Sequence, residues 1–312
     1  MAAVEVHELH KRYGERTAVE GVSLTVAEGE VFGVLGRNGA GKTTTVEMTA
    51  GLRRPDSGTV RILGLDPWRD RRRVRQLLGV QLQESELHGA LTVRELIRLY
   101  RTFYATPAGE AEVIDAVGLA EHRDVRFESL SGGQQQRLSI ALALVGNPRV
   151  LILDELTTGL DPEARRHIWA IVERLRDGGV TVLIVSHLME EVERLCDRVA
   201  LLDGGRVVAQ DTPAGLVDAA GLGQRVRFRT SGGADFETTV LEKLPEVSEV
   251  QVRGDRVSVT GAGDLLVSVS TALVRAGVVA TETRLEQPTL DDAFLALTGR
   301  PLTESQPEGA HR

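Results

Sequence analysis

Gly36-Arg37-Asn38-Gly39-Ala40-Gly41-Lys42-Thr43-Thr44 decides the reading of this chain. The apolar run Val31–Leu35 precedes it, and a helical stretch to about Ala50 follows. A short apolar run of that kind marks a strand buried on both faces. Strand, Gly-rich turn, Lys-Thr and helix together are the P-loop pattern G-x-x-x-x-G-K-[ST] in the context it requires. Its glycines let successive backbone N–H groups turn inward, forming an anion-binding nest at a helix N-terminus. In that pattern Lys42 supplies a point charge to the β- and γ-phosphates of a nucleotide, and the Thr43 hydroxyl can ligate Mg²⁺.

Working outward, Val150-Leu151-Ile152-Leu153-Asp154-Glu155 is the complement of the P-loop. Four apolar residues bury a strand and deliver a carboxylate at its C-terminal end. Asp154 is the candidate to hold Mg²⁺ through water, and Glu155 the candidate general base for the attacking water. More than a hundred residues separate Lys42 from Asp154. That is far beyond one βαβ crossover, so a helical insertion is expected between the motifs, and residues 84–147 do read as mostly helical.

The remaining bounds are broad. At 312 residues about two domains are expected. The single Cys196 excludes an intrachain disulfide framework and reads as a packed structural thiol. No apolar run approaches the roughly 18 residues of a membrane span, and no secretory signal is visible. A net charge of −8 argues against a face built to neutralise phosphate backbones. Residues 1–60 read as strands and turns, with a break at Lys11-Arg12-Tyr13-Gly14 and a hairpin expected around Asp203-Gly204-Gly205. Gly221-Leu222-Gly223 reads as a linker. Beyond it, short alternating strands (Arg225–Arg229, Phe236–Val240, Val250–Val252, Arg256–Thr260) and two helices (Asp264–Ala276, Thr289–Thr298) suggest a small α+β domain. Thr289 is placed to cap the last helix with Asp292. Residues 301–312 are polar and are expected to be disordered. The basic run Arg69, Arg71, Arg72, Arg73 and Arg75 reads either as a solvated helix face or as a contact for anionic headgroups or a partner.

Leu130-Ser131-Gly132-Gly133-Gln134, about twenty residues before Asp154, resembles the signature of ABC-type ATPases. The resemblance covers roughly residues 3–215. It implies an α/β P-loop NTPase of ABC type, a mixed sheet core with an inserted helical subdomain (about 84–140), plus the small C-terminal α+β domain. The implied boundaries are 1–220 for the ATPase domain and 224–300 for the accessory domain. The family works as a head-to-tail homodimer with ATP between the P-loop of one copy and the signature of the other. Carried over, Ser131, Gly132, Gly133 and Gln134 would serve the partner's nucleotide. Tyr13 resembles the aromatic residue that stacks on adenine, with packing between strands as its plainer reading. Gln83 resembles the glutamine that senses Mg²⁺ and water, with Gln81 as the neighbouring alternative. His187 resembles the switch histidine at the γ-phosphate, and Asp161 the loop that reaches across the dimer, though it also suits an N-cap before Pro162. The family usually has Pro after the catalytic glutamate; this chain has Leu156, which removes a rigid turn but no catalytic group.

The segment Pro288-Thr289-Leu290-Asp291-Asp292-Ala293-Phe294-Leu295 resembles the end of daunorubicin-resistance-type exporter ATPases. That likeness implies an ATP- and Mg²⁺-dependent motor at the cytoplasmic face of the cell membrane. It would touch the membrane through a separate ABC-2-type permease, bind no nucleic acid, and drive export of a drug-like or lipid-like substrate. The alternative is a soluble ABC ATPase acting on ribosomes, DNA or iron–sulfur assembly. Against it stand the single P-loop, the absence of long coiled coils and the added C-terminal domain.

Overall fold

The computed structural model describes residues 1–82, 87–230 and 238–302. It divides into two compact units, one of Met1–Pro213 with the chain from Arg300 on, the other of Ala214–Gly299.

The first unit opens with a hairpin of β1 (Ala2–Tyr13) and β2 (Arg16–Ala27), then runs through β3 (Val31–Gly36) and the Gly-rich turn into α1 (Lys42–Thr49). Next come β4 (Ser57–Ile62), α2 (Arg71–Leu77), β5 (Leu78–Gln81), α3 (Val93–Arg101), α4 (Glu110–Ala116) and α5 (Gly132–Leu144). The unit closes with β6 (Val150–Asp154), α6 (Pro162–Asp177), β7 (Thr181–Ser186), α7 (Met189–Leu195), β8 (Arg198–Asp203) and β9 (Arg206–Asp211).

These strands make two sheets. One is antiparallel, in the order β2-β1-β4; the other has six strands in the order β5-β6-β7-β3-β8-β9, all parallel except β9. Every residue of β3, β6 and β7 is buried, which is why their sequences are unbroken apolar runs rather than alternating ones. The core joins Val4, Val6 and Leu9 of the small sheet to Phe32, Val34, Ile152 and Leu183 of the large one, with Val46 and Met48 of α1 among them. The region between the two motifs is helical as its length requires. Thr92 caps α3 through a reciprocal pair with Glu95, and Ser131 caps α5 in the same way with Gln134.

The second unit holds α8 (Pro213–Ala219, its first residue belonging to the first unit), β10 (Gln224–Thr230), α9 (Thr239–Glu242), β11 (Val247–Arg253), β12 (Arg256–Gly261), α10 (Leu265–Arg275), β13 (Ala280–Glu286) and α11 (Leu290–Thr298). Its antiparallel sheet has the order β11-β12-β10-β13. From β10 to β13 the element sequence is β-α-β-β-α-β, the ferredoxin-like arrangement. One face of the sheet, through Val226, Phe228, Val257 and Val259, packs on Leu241, Leu265, Val269 and Leu273.

Three local readings change. Lys11, Arg12 and Tyr13 do not break the first strand: they pair with Val19, Thr17 and Arg16, and the turn is Gly14-Glu15. Residues 239–242 are helical instead of ending a strand at Val240, while Phe236 lies outside the described residues. Strands β5 and β13 add to those expected. Gln83 and residues 303–312 lie outside the described residues. The Asp203-Gly204-Gly205 hairpin and the Thr289–Asp292 cap are observed as expected.

Candidate active site

Strand order brings the first site together. β6 and β3 are not neighbours; β7 lies between them. Asp154 pairs in register with Val185, and Leu35 with Ser186, so the P-loop, Asp154-Glu155 and Ser186-His187 leave the sheet at one edge. The C-terminal edge of a parallel sheet is where such folds bind ligands.

At the P-loop the backbone conformation demands glycine. Gly41 has φ 97°, and a Cβ there would run into the Ala18 carbonyl; one at Gly36 would run into the Leu202 carbonyl. Lys42 is buried, and its ammonium donates to the carbonyls of Gly36 at 2.7 Å and Arg37 at 3.1 Å. Burial holds its pKa below the usual lysine value, against the pull of Glu155 and Asp154. Tyr13, Arg16, Asn38, Gly39, Gly41, Lys42, Thr43, Thr44 and Glu155 line a cavity of about 540 Å³.

Asp154 is fully buried, and neither carboxylate oxygen completes a regular hydrogen bond, although the nearby Thr43 hydroxyl helps hold its pKa down. Burial, then the charge of Glu155, push the Asp154 pKa up to about 6 despite Lys42. Among the described residues no cluster of three His, Cys, Asp or Glu could hold a metal by itself. A hard cation here would therefore need phosphate oxygens to complete its shell. An orphaned buried carboxylate beside a hydroxyl is the donor set that Mg²⁺, keeping several waters, accepts.

Glu155 stands at the first position after β6 in a left-handed conformation, φ 50°. Its N–H donates to Val185, and its side chain, 9% exposed, lies 3.4 Å from His187 Nδ1. Leu156, in the place of the expected Pro, is buried. Thr157 and Trp169 of α6 both donate to one oxygen of buried Glu191 on α7, at 2.9 and 3.2 Å. This bond pair ties the turn after Glu155 to the two helices behind it.

The signature residues lie elsewhere. Ser131, Gly132, Gly133 and Gln134 share a separate cavity of about 300 Å³ with Gly159 and Asp161, and none of the first cavity's lining residues is among them. Asp161 accepts from the N–H groups of Glu163 and Ala164, so it is an N-cap as well as a member of that cavity. Of the expected residues, the structure thus joins Tyr13, Gly36, Arg37, Asn38, Gly39, Gly41–Thr44, Asp154, Glu155 and His187 at one place, and Ser131–Gln134 with Asp161 at another. Gln81 is buried and spends its amide on the Leu82 carbonyl. Arg16 is new: it donates to Gly39 at 3.4 Å across the hairpin turn from Tyr13. No spacing in the sequence announces it, because the contact exists only through the pairing of β1 with β2. Cys196 is buried against Gly33, and burial pushes its thiol pKa up, as for a packing residue.

This constellation on this sheet order is an ATP-binding cassette. The ABC transporter family profile matches residues 19–158. The linearmycin resistance ATP-binding protein LnrL of Bacillus subtilis (strain 168) is 34% identical over 310 residues, covering 96% of this chain and 100% of that protein. The Nod factor export ATP-binding protein I of Rhizobium meliloti is 37% identical over 307 residues, covering 97% and 90%. The daunorubicin resistance ATP-binding protein DrrA2 of Streptomyces coeruleorubidus is 36% identical over 308 residues, covering 95% of each. Among solved structures, an ATP-binding subunit of an ABC transporter superposes with TM-score 0.64 and 28% identity over 70% of this chain and 93% of that one. The dimeric cassette MJ0796 bound to ADP and Pi gives 0.60 and 26% over 67% and 98%. The chain belongs to the ATP-hydrolysing subunits of the ABC transporter family. Proteins of this family bind ATP, dimerise and pair with membrane permeases. No described helix is long and apolar enough to cross a membrane.

Proposed function

We propose that this chain is the motor of an exporter for a drug-like or lipid-like substrate, working with a separate ABC-2-type permease at the cytoplasmic face of the cell membrane. The observation that carries the catalytic half is the meeting of Lys42, Asp154, Glu155 and His187 at one sheet edge. The names of the relatives, two resistance proteins and one exporter subunit, support the transport half.

In this reading ATP lies over the P-loop. Its triphosphate takes the Lys42 ammonium from the Gly36 and Arg37 carbonyls, while Tyr13 stacks on adenine. Thr43 and Asp154 would hold Mg²⁺, which would supply charge neutralisation to the phosphates. Glu155 accepts a proton from the water that attacks the γ-phosphorus as the β–γ bridging bond breaks, giving ADP and phosphate. His187 positions Glu155 and reaches the γ-phosphate. Ser131–Gln134 and Asp161 of a second copy complete the site, because within one chain they stand at a different cavity. ATP thereby favours the closed pair through its differential affinity for that state.

Asp154 gives a test that needs no transport. Its raised pKa means the folded chain holds a proton that the unfolded chain has released. Without nucleotide, that contribution to stability is complete below about pH 4 and is lost as pH rises through about 6. Two units correspond to roughly 3 kcal/mol. Asp154→Asn should therefore melt higher than the wild type at pH 7.5, and the gap should close towards pH 4, while Mg²⁺-dependent turnover is lost. Thermal unfolding across pH reads the raised pKa directly, and parallel melting curves would refute it; Mg²⁺-dependent turnover retained in Asp154→Asn would remove Asp154 from the metal-holding role.

One groove in the first unit supports the permease half of this reading. Leu52, Pro67, Arg71, Arg72, Arg75, Phe103 and Tyr104 line a groove of about 680 Å³, and Phe103 is 65% exposed. Arg71, Arg72 and Arg75 of the basic run thus rim an apolar floor suited to a short helix of a permease. A tagged chain purified from gently solubilised membranes should bring down a membrane protein of about six helices. Phe103→Glu should lose it while the isolated chain keeps its ATPase activity. Recovery of ribosomes, DNA or an assembly complex from the soluble fraction alone would favour the other class of ABC ATPase.

A further inference from the structure

The C-terminal sheet packs one face on its helices and leaves the other open. On that open face the strand register sets arginines side by side. Arg253 of β11 pairs with Arg256 of β12, which pairs with Arg229 of β10. In the next row Arg227 of β10 pairs with Arg284 of β13. Like charges directly opposite one another on a sheet destabilise it. Compensation within the unit is partial. Arg227 meets Glu286 at 3.1 Å, and Arg229 meets Asp255 at 3.5 Å and Glu282 at 3.3 Å. Arg225, Arg253, Arg256 and Arg284 have no ion-pair partner among the described residues. The face is also concave: it forms a cavity of about 700 Å³ lined by six arginines against two glutamates.

We propose that this cavity binds a small soluble ligand carrying two or more phosphate groups. Adjacent strands are about 4.8 Å apart, and successive same-face rows about 7 Å. A phosphate offers three acceptor oxygens and up to two charges, so one group can bridge two neighbouring guanidiniums, whereas a carboxylate is filled by a single Arg fork. Three arginines abreast therefore suit two linked phosphates, and the second row suits a further anionic group. Among the described residues the lining carries no free aromatic face for base stacking, since Phe228 is 2% exposed and packs into the core. That sets the cavity apart from a single-strand nucleic-acid platform. It also lies in a different unit from the P-loop, so its ligand would not occupy the ATP site.

The probe is inorganic tripolyphosphate, titrated by calorimetry in EDTA against the full chain. Two sites per wild-type chain are expected. Lys42→Ala should lose one, and Arg253→Gln with Arg256→Gln should weaken the other at least about tenfold. The arginine variant should keep wild-type basal ATPase turnover and melt no lower than the wild type at low salt, because it removes like-charge neighbours. Loss of binding together with a lower melting temperature would make the arginines structural and overturn the site. So would two sites retained in the arginine variant, or a wild-type chain whose binding vanishes with Lys42→Ala. Arginine-dependent flotation with phosphatidylglycerol vesicles, without tripolyphosphate binding, would assign the face to a lipid surface instead.

Discussion

Glu155→Gln should bind ATP, hydrolyse it at least about a hundredfold more slowly than the wild type, and accumulate as a dimer. The magnitude follows from the role. A positioned general base contributes roughly 10²- to 10⁴-fold, and an amide cannot accept the proton. Little else should change. Gln has the shape of Glu, so the left-handed backbone at 155 and the bond from its N–H to Val185 carry the same cost in both. Lys42, Thr43 and Tyr13 still face the nucleotide, so affinity should hold. With hydrolysis blocked, the ATP-bound pair has no route to reopen, and light scattering with ATP should show twice the chain mass. Phosphate release at the wild-type rate would remove Glu155 from the base's role, whatever the dimer does.

Lys42→Ala should fail one step earlier. In the protein as folded, the ammonium is buried and held by two carbonyls, poised in front of Asp154 and Glu155. Removing it leaves two carboxylates facing a triphosphate. Losing one partner of a buried charge-assisted contact costs about 2–4 kcal/mol, or roughly 30- to 1000-fold in ATP affinity. Folding should suffer less. The Gly36 and Arg37 carbonyls lose a donor, but the desolvation that lowers the Lys42 pKa disappears with the side chain. Fluorescent-nucleotide titration beside a melting curve separates the two effects. ATP affinity within a few fold of the wild type, in a folded variant, would undo the P-loop reading.

How these residues were legible differs from one to the next. The P-loop and the Asp154-Glu155 strand end were readable because each is local: a buried parallel strand must be apolar throughout, and the phosphate nest must be glycine-rich. The ferredoxin-like order was not. β13 is mostly exposed and reads as a polar stretch, while β5 has four residues, Leu78-Gly79-Val80-Gln81, too few for a period to show. The missing strand hid the topology, and with it the arginine rows, which exist only through the register of β10, β11, β12 and β13. Arg16 was hidden likewise. Lys-Arg-Tyr-Gly reads as a break because its charged residues sit at the exposed end of β1, yet they continue that strand and bring Arg16 opposite Tyr13. The Glu191 contacts with Thr157 and Trp169 join residues far apart in sequence, so no spacing announces them.

Two cavities, one holding the P-loop and one holding Ser131 with Asp161, have a consequence for kinetic order. If each ATP needs one half from either copy, a chain diluted alone owns two half-sites and no whole one. Turnover per chain then depends on concentration, rising with the chance that copies meet. Two copies tethered to one permease pair would escape that dependence. Their encounter becomes intramolecular, with an effective concentration on the order of millimolar for a short tether. Catalysis would thus be weak wherever the subunit is unassembled and strong where it is docked, so idle ATP consumption is suppressed by geometry without any separate inhibitor.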